Sequence, residues 1–320
     1  MKKALCLLLC LLLLFPLTAC KREDEGAVRV WTLNGTTGFG MAALICQNED
    51  GKTDLLYEFT VEKDAVHVRD AILSGEADIA AVPTNLAAAL YNATNGGVRV
   101  LALNTLGVLH VVTAENISSL ADLAGKTVYT PAQNPAFITN ALLREAEISA
   151  TVDSLTYAAP DALRDALASG LVDTAVLPEP MVTIAIAAAK KEGRTLTAAV
   201  DLTAAWKETF GEDSLVQGCV VVRTEFLEAH PDKVQKFLRE YEASVRFAAE
   251  PENAENAAEM IARAGIFENA AVAAKALPRC NLAYIEGAAM QTVLSAFLLR
   301  MPLQSIGGKL PDDDFYFISD

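Results

Sequence analysis

Two loops carry the residue types best suited to hold a small polar molecule. Asn34-Gly35-Thr36-Thr37-Gly38 follows the apolar strand Val28–Leu33 and leads into a helix that we predict to begin near Phe39. Free N–H groups at a helix start attract anions or polar oxygens, and glycines let the backbone approach closely. The loop could also be a simple N-cap, with Thr36 or Thr37 satisfying the helix's first N–H groups. The two roles are compatible.

The second loop, residues 130–135, follows the strand Thr127–Tyr129 and precedes a helix that we predict from Ala136. Gln133 and Asn134 can each offer hydrogen-bond donors and acceptors. That chemistry suits a neutral or zwitterionic polar ligand better than a simple anion.

A fifteen-residue unit occurs twice in the chain. Residues 69–83 and 164–178 are identical at eight of the fifteen aligned positions. Each copy predicts a helix that ends at a glycine, then an aspartate, a short buried strand and a proline. Ligands of open α/β sheets bind beyond the carboxyl ends of strands, so Thr84-Asn85 and Glu179-Pro180, which follow the prolines, are candidate binding positions. Such a unit can recur by chance, but this degree of identity favours two similar lobes.

Glu179 is the acidic residue at these strand ends. If it is buried, its carboxylate needs a partner such as a ligand amine, a ring N–H or a nearby arginine. If it is a solvent-facing turn residue, it needs none. Arg279-Cys280-Asn281 forms a distinctive segment to which the sequence assigns no chemistry.

The N-terminus predicts export and lipid attachment. Lys2 and Lys3 precede an uncharged apolar run at 4–15, and Leu17-Thr18-Ala19-Cys20 is typical of a lipobox. The run is shorter than the ~20 residues that span a bilayer, so we predict a signal peptide at 1–19 rather than an uncleaved anchor. Lipidated Cys20 would begin a charged tether over 20–26, placing the protein on the extracytoplasmic face of the cell membrane.

Composition excludes several classes of function. Without residues 1–19 the chain has 24 basic and 41 acidic side chains, a net charge of −17, which argues against nucleic-acid binding. Cys46, Cys219 and Cys280 are scattered and cannot form a disulfide framework. The three histidines and these cysteines lack zinc-site spacing, so we predict no metal site and no cofactor.

Short apolar strands alternate with helical stretches up to about residue 230, which predicts parallel sheets covered by helices. From Pro231 onward the pattern is largely helical, over 232–249, 251–264 and 284–299. A chain of this length is typical of two domains.

The repeated unit, present in both halves of a lipoprotein, resembles the type 2 solute-binding proteins of ABC importers, in the NMT1-like branch that includes binders of nitrate, sulfonates and thiamine precursors. More narrowly, the chain resembles a Firmicutes-type group of importer lipoproteins. Further motifs carry the resemblance along the mature chain, at 33–41, 80–87, 103–109, 278–282 and 307–316.

The resemblance implies an α/β fold of two Rossmann-like lobes joined by a two-segment hinge. Lobe one would comprise 27–107 and 218–318, and lobe two 108–217. The crossovers would lie at Leu106-Gly107-Val108 and Gln217-Gly218-Cys219, which puts Gly218 among the candidate binding residues. The partners implied are a small polar ligand in the cleft, an ABC permease and its ATPase, with the binding protein a monomer.

One departure from the family bears on the ligand. The family usually has a glycine- and serine-rich loop at 130–135, whereas this chain keeps Pro135 but has Ala132 and Asn134 in place of glycines. A site for anions built from backbone N–H groups alone is therefore less available. Two alternatives stay open from sequence: an enzyme on the same fold, of the pyrimidine- or menaquinone-pathway type, and a ligand-sensing lipoprotein without a transport role.

Overall fold

The computed structural model describes residues 26–211 and 215–318. The predicted signal peptide, Cys20 and the tether up to residue 25 lie outside these residues. Within the described part of the chain, no helix combines the length and apolar character needed to cross a membrane.

Eleven strands are present in the described residues: β1 Val28–Leu33, β2 Tyr57–Glu62, β3 Ile79–Pro83, β4 Val98–Leu106, β5 Leu109–Thr113, β6 Thr127–Tyr129, β7 Thr151–Asp153, β8 Thr174–Pro178, β9 Thr197–Asp201, β10 Val216–Arg223 and β11 Leu282–Glu286. The α-helices of the same residues are α1 Thr36–Phe39, α2 Ala42–Glu49, α3 Ala65–Ser74, α4 Thr84–Thr94, α5 Asn134–Glu145, α6 Pro160–Ser169, α7 Met181–Lys191, α8 Leu202–Phe210, α9 Thr224–Ala229, α10 Pro231–Ala249, α11 Ala254–Arg263, α12 Ala270–Ala276 and α13 Gly287–Leu298.

The strands form two sheets, each with helices packed against it. The first sheet has the order β11-β4-β10-β3-β1-β2 and the second the order β7-β6-β8-β5-β9. We call the halves built on them lobe one and lobe two. The chain leaves lobe one after β4, enters lobe two at β5 and returns through β10. The predicted two-lobe α/β fold with two crossovers is therefore confirmed.

The sheets are mixed, so the prediction of parallel sheets was only partly correct. β1 pairs in parallel with β2 and β3, and β6 with β7 and β8. β5 and β10 run antiparallel to their neighbours. Both arrive from the other lobe and therefore start at the edge where β3 and β8 end: Gly218 lies opposite Pro83, and Leu109 opposite Pro178. We call this edge of each sheet the cleft edge.

Several predicted helix starts were wrong. The helix expected near Phe39 begins at Thr36 and stops before α2, and the one expected from Ala136 begins at Asn134. The helix expected over 284–299 begins at Gly287, because Leu282–Glu286 forms an edge strand on β4 instead. The helix expected over 251–264 begins with a 3-10 turn, Pro251–Asn253.

The repeated unit has the predicted structure in both copies. Helices α3 and α6 end at Gly75 and Gly170, with left-handed φ values of 79° and 83°. Each following aspartate binds an arginine: Asp78 accepts from Arg223 at 3.2 Å, and Asp173 from Arg194 at 3.3 Å. The buried Asp78, which also accepts from Arg29 N and Nε at 3.0 Å, holds the turn that leads into β3. Asp173 is 64% exposed, so its single contact contributes little to the turn that leads into β8.

Candidate functional site

The cleft edges bring Asn85 of lobe one against Asn134 of lobe two. Asn134 Nδ2 donates a 2.8 Å hydrogen bond to Asn85 Oδ1. Both residues lie in the first turn of a helix, α4 and α5, and not on free turns. These two candidate residues thus form a direct contact between the lobes.

Two of the buried polar atoms of lobe two that have no partner among the described residues lie on or next to the 130–135 loop. Asn134 is 8% exposed, and its Oδ1 makes no hydrogen bond among the described residues. Thr130, the residue directly after β6, is 0% exposed, and its Oγ1 has no hydrogen-bond partner among the described residues either. Leaving a buried polar atom unpaired costs about 1–3 kcal/mol. Each of these oxygens is therefore an unused hydrogen-bond acceptor in lobe two. Thr130 was not among the predicted site residues, although its place at a strand end could have suggested it.

Glu179 is buried and ion-paired, which is one of the alternatives that the sequence left open. It is 2% exposed, and its Oε1 accepts from Arg279 Nε at 2.5 Å and from Thr183 Oγ1 at 3.1 Å. Its Oε2 accepts from Thr183 N at 3.2 Å. Arg279 Nη2 also donates to Thr183 Oγ1 at 2.7 Å. The segment without assigned chemistry therefore supplies the partner of Glu179, from the opposite lobe.

His110 lies in β5, within electrostatic range of this ion pair. It is 4% exposed and its Nδ1 has no hydrogen-bond partner among the described residues. Burial lowers the pKa of His110, although the charges of Asp201 and Glu179 oppose that shift. The imidazole is therefore neutral at pH 7. The sequence offered no spacing signal that could have singled it out.

The 34–38 loop is held by β4 and not by its own threonines. Gly35, with φ 86°, precedes α1, and neither Thr36 nor Thr37 caps the helix, so the capping interpretation was wrong. Asn104 Nδ2 donates to the Thr37 carbonyl at 3.1 Å, and Thr105 Oγ1 donates to Asn104 Oδ1 at 3.0 Å, which holds that amide in place. Asn104 and Thr105, both buried, therefore position the loop.

The remaining candidates of lobe one differ in their surroundings. Asn34 is exposed and lines a groove of about 360 Å³ with Lys63 and Asn269. Gly38 packs so closely that a Cβ there would lie 2.1 Å from the Leu33 carbonyl oxygen. Thr84 Oγ1 donates to the Val216 carbonyl at 2.9 Å. The hydroxyl hydrogen is therefore already used in a bond to the first residue of β10.

Gln133 and Gly218 are the last two candidates. Gln133 is exposed and has a positive φ of 67° immediately before α5. Gly218 lies in β10, where a Cβ would be 2.4 Å from Asn104 Oδ1. Close packing therefore requires glycine at position 218.

The described residues contain no group of three or more His, Cys, Asp or Glu side chains placed to hold a metal ion. Cys46, Cys219 and Cys280 are buried free thiols.

Known structures share this architecture. An ABC transporter protein from Parabacteroides distasonis has a TM-score of 0.75 at 20% identity, covering 92% of this chain and 99% of its own. The aliphatic sulphonate binding protein SsuA from Escherichia coli has a TM-score of 0.64 at 14% identity, covering 89% and 92%. The nitrate-binding protein NrtA from Synechocystis has a TM-score of 0.53 at 14% identity, covering 75% and 66%.

No curated protein matches the sequence. The family model described as NMT1/THI5 like matches residues 53–254, which is more than half of the chain. The chain therefore belongs to the NMT1/THI5-like family and has the fold of type 2 periplasmic binding proteins.

Proposed function

We propose that the protein is an extracytoplasmic solute-binding lipoprotein, which holds a small polar molecule between its lobes and delivers it to an ABC importer. The observation that carries this proposal is the unpaired Oδ1 of Asn134, buried at the point where the lobes touch. A buried acceptor at that position is satisfied by a ligand N–H or O–H group.

Both lobes contribute polar groups to the proposed site. Lobe one offers Asn85 and the 34–38 loop, and lobe two offers Thr130 and Asn134. A ligand can shift the lobes toward closure only through contacts that are better in the closed form, so a site divided in this way couples binding to hinge motion. The permease would then recognise the closed form. We propose a first hinge point near Gly107, between β4 and β5. The return crossover, expected at Gln217-Gly218-Cys219, must lie before Val216 instead, because Gly218 is already paired with its neighbours within β10 of the first sheet.

The N-terminal sequence and the family support the proposed location and partners. The lipobox supports attachment through a lipid on Cys20. The solved structures with this fold include an ABC transporter protein and binding proteins for sulphonate and nitrate, which supports a permease and its ATPase as partners. We propose binding without catalysis, and a monomer. The contact of the buried Glu179 carboxylate with Arg279 supports a structural role for this residue.

A thermal-shift screen tests the proposal. Its arms are pyrimidines and thiamine precursors, sulfonates, nitrate, riboflavin-like compounds and amino acids. A ligand at 100 times its Kd should add ~2.7 kcal/mol to the free energy of unfolding. A hit is then measured by isothermal titration on Asn134→Ala, with Asn140→Ala, an exposed asparagine of the same helix, as the matched control. A ligand that binds Asn134→Ala as it binds the wild type would refute this placement of the site.

A further inference from the structure

Arg279 is the one residue of its segment that reaches into the other lobe. It ends the 3-10 turn Leu277–Arg279 of lobe one, directly after α12. Its guanidinium binds Glu179 and Thr183 of lobe two through two different nitrogens, Nε and Nη2. Helix α12 packs against α7, so the contact lies in a seam between the lobes.

The two partners differ in burial. The Glu179 side chain is 0% exposed and the Arg279 side chain 36%. A carboxylate buried to that degree is strongly destabilised without a counter-charge. Because the counter-charge belongs to lobe one, separation of the lobes would leave Glu179 with only the hydroxyl and the backbone N–H of Thr183.

The base of the Arg279 side chain is fixed at the first crossover. Asn281 Nδ2 donates to the Gly107 carbonyl at 2.5 Å, and the Asn281 carbonyl accepts from Leu106 N at 3.0 Å. Cys280, which lies between Arg279 and Asn281 in the sequence, is fully buried. The segment is thus attached to the hinge itself, from which Arg279 extends to lobe two.

We infer that Glu179 and Thr183 form a guanidinium-binding subsite that the chain's own Arg279 fills, and that this pair is an internal latch for the closed arrangement of the lobes. The inference rests on the proposed function in taking the space between the lobes as a ligand cleft. The carboxylate and hydroxyl oxygens match the forked N–H groups of a guanidinium, which a point-like ammonium cannot contact in the same way. A solute with an amidinium or guanidinium group would compete with Arg279 for this subsite.

Spin labels on the full chain at Leu56→Cys and Leu155→Cys, 66% and 88% exposed and on different lobes, report the separation of the lobes. Native cysteines in the described residues are buried. In Arg279→Ala, double electron–electron resonance should show a larger population at the longer distance. The ratio of open to closed molecules should rise by roughly thirtyfold or more. Millimolar ethylguanidinium should restore the short distance in this variant, whereas ethylammonium at equal ionic strength should not.

Three further variants sharpen the test. Arg246→Ala removes an exposed ion pair within lobe one and should leave the distances unchanged. Glu179→Gln keeps the shape of the side chain and should open the lobes without rescue by ethylguanidinium. In Arg279→Lys, the population at the short distance should lie between that of the wild type and that of Arg279→Ala. Wild-type distances in both Arg279→Ala and Glu179→Gln would overturn the latch, and if Arg279→Ala does not fold, Glu179→Gln and Arg279→Lys decide alone. None of these measurements uses the transported solute, so a failed ligand screen would not affect them.

Discussion

Gly218→Ala is the substitution whose cost can be worked most directly from the structure. Gly218 lies between β3 and β4 in the first sheet, and an added Cβ would be 2.4 Å from Asn104 Oδ1 and 3.0 Å from Thr105 Cβ. Both neighbours are buried, so neither can move into solvent. The Asn104 side chain must therefore shift.

That shift disturbs three hydrogen bonds. Asn104 Nδ2 donates to the Thr37 carbonyl at 3.1 Å and to Tyr241 Oη at 2.9 Å, and Asn104 Oδ1 accepts from Thr105 Oγ1 at 3.0 Å. At about 0.5–1.5 kcal/mol each, their loss lowers the free energy of unfolding by ~1.5–4.5 kcal/mol. The 34–38 loop also loses one of its attachments to β4, so ligand affinity should fall as well.

Urea unfolding followed by circular dichroism measures the stability change. The matched control is Gly26→Ala, since a Cβ at position 26 has no atom within 4 Å and the backbone there is not left-handed. A Gly218→Ala variant within about 0.5 kcal/mol of the control would refute the packing argument. Unchanged stability together with lost ligand binding would instead make Gly218 a direct ligand contact.

Three further predictions concern other parts of the chain. Burial alone would raise the pKa of Asp78, but hydrogen bonds from Arg29 and Arg223 hold it below its ordinary value. Its stabilising effect is therefore present above the unfolded pKa of about 3.9 and is lost as pH falls through the lower folded pKa. Asp78→Asn should cost about 2–3 kcal/mol in urea unfolding at pH 7, and this difference should shrink in acid; a constant difference down to pH 2 would contradict the pairing. Asn85→Ala and Asn134→Ala should each weaken solute binding by ~1–3 kcal/mol in calorimetry, and the double variant should cost less than the sum because the two side chains bind each other; additive losses would place them in independent contacts. In cell fractionation, Cys20→Ala should be released from membranes or remain unprocessed. A Cys20→Ala variant that matures and sediments like the wild type would contradict the prediction of a lipid anchor.

The fold was more predictable than the site because its signals are local. The strands β1 and β6 and the glycine ends of α3 and α6 depend on apolar runs and on the conformational freedom of glycine, which a short window of sequence contains. The direction of β5 and β10 depends on which lobe the chain has just left, so alternation of strands and helices could not show it.

The positions of the candidate residues between the lobes were predictable from the sequence, but their contact partners were not. Strand ends identified Asn85, Asn134 and Glu179 as cleft-facing candidates. The pairing of Glu179 with Arg279, a hundred residues later in the chain, depends on how the lobes meet. Asn104 carries no local signal because it lies within an apolar strand, where its role is to hold a loop distant in sequence.

The position of β10 between β3 and β4 also affects the order in which the molecule can form. Lobe two takes its strands from one continuous stretch, β5 to β9, whereas the first sheet pairs Ile79 with Val222 and Val98 with Arg223. During synthesis, that sheet lacks an interior strand until lobe two has emerged completely. Long-range pairing of this kind slows folding, because the intervening loop must be closed before the contact is gained. In refolding experiments lobe two should therefore gain amide protection first, and the N-terminal strands should stay exchangeable until β10 inserts between them.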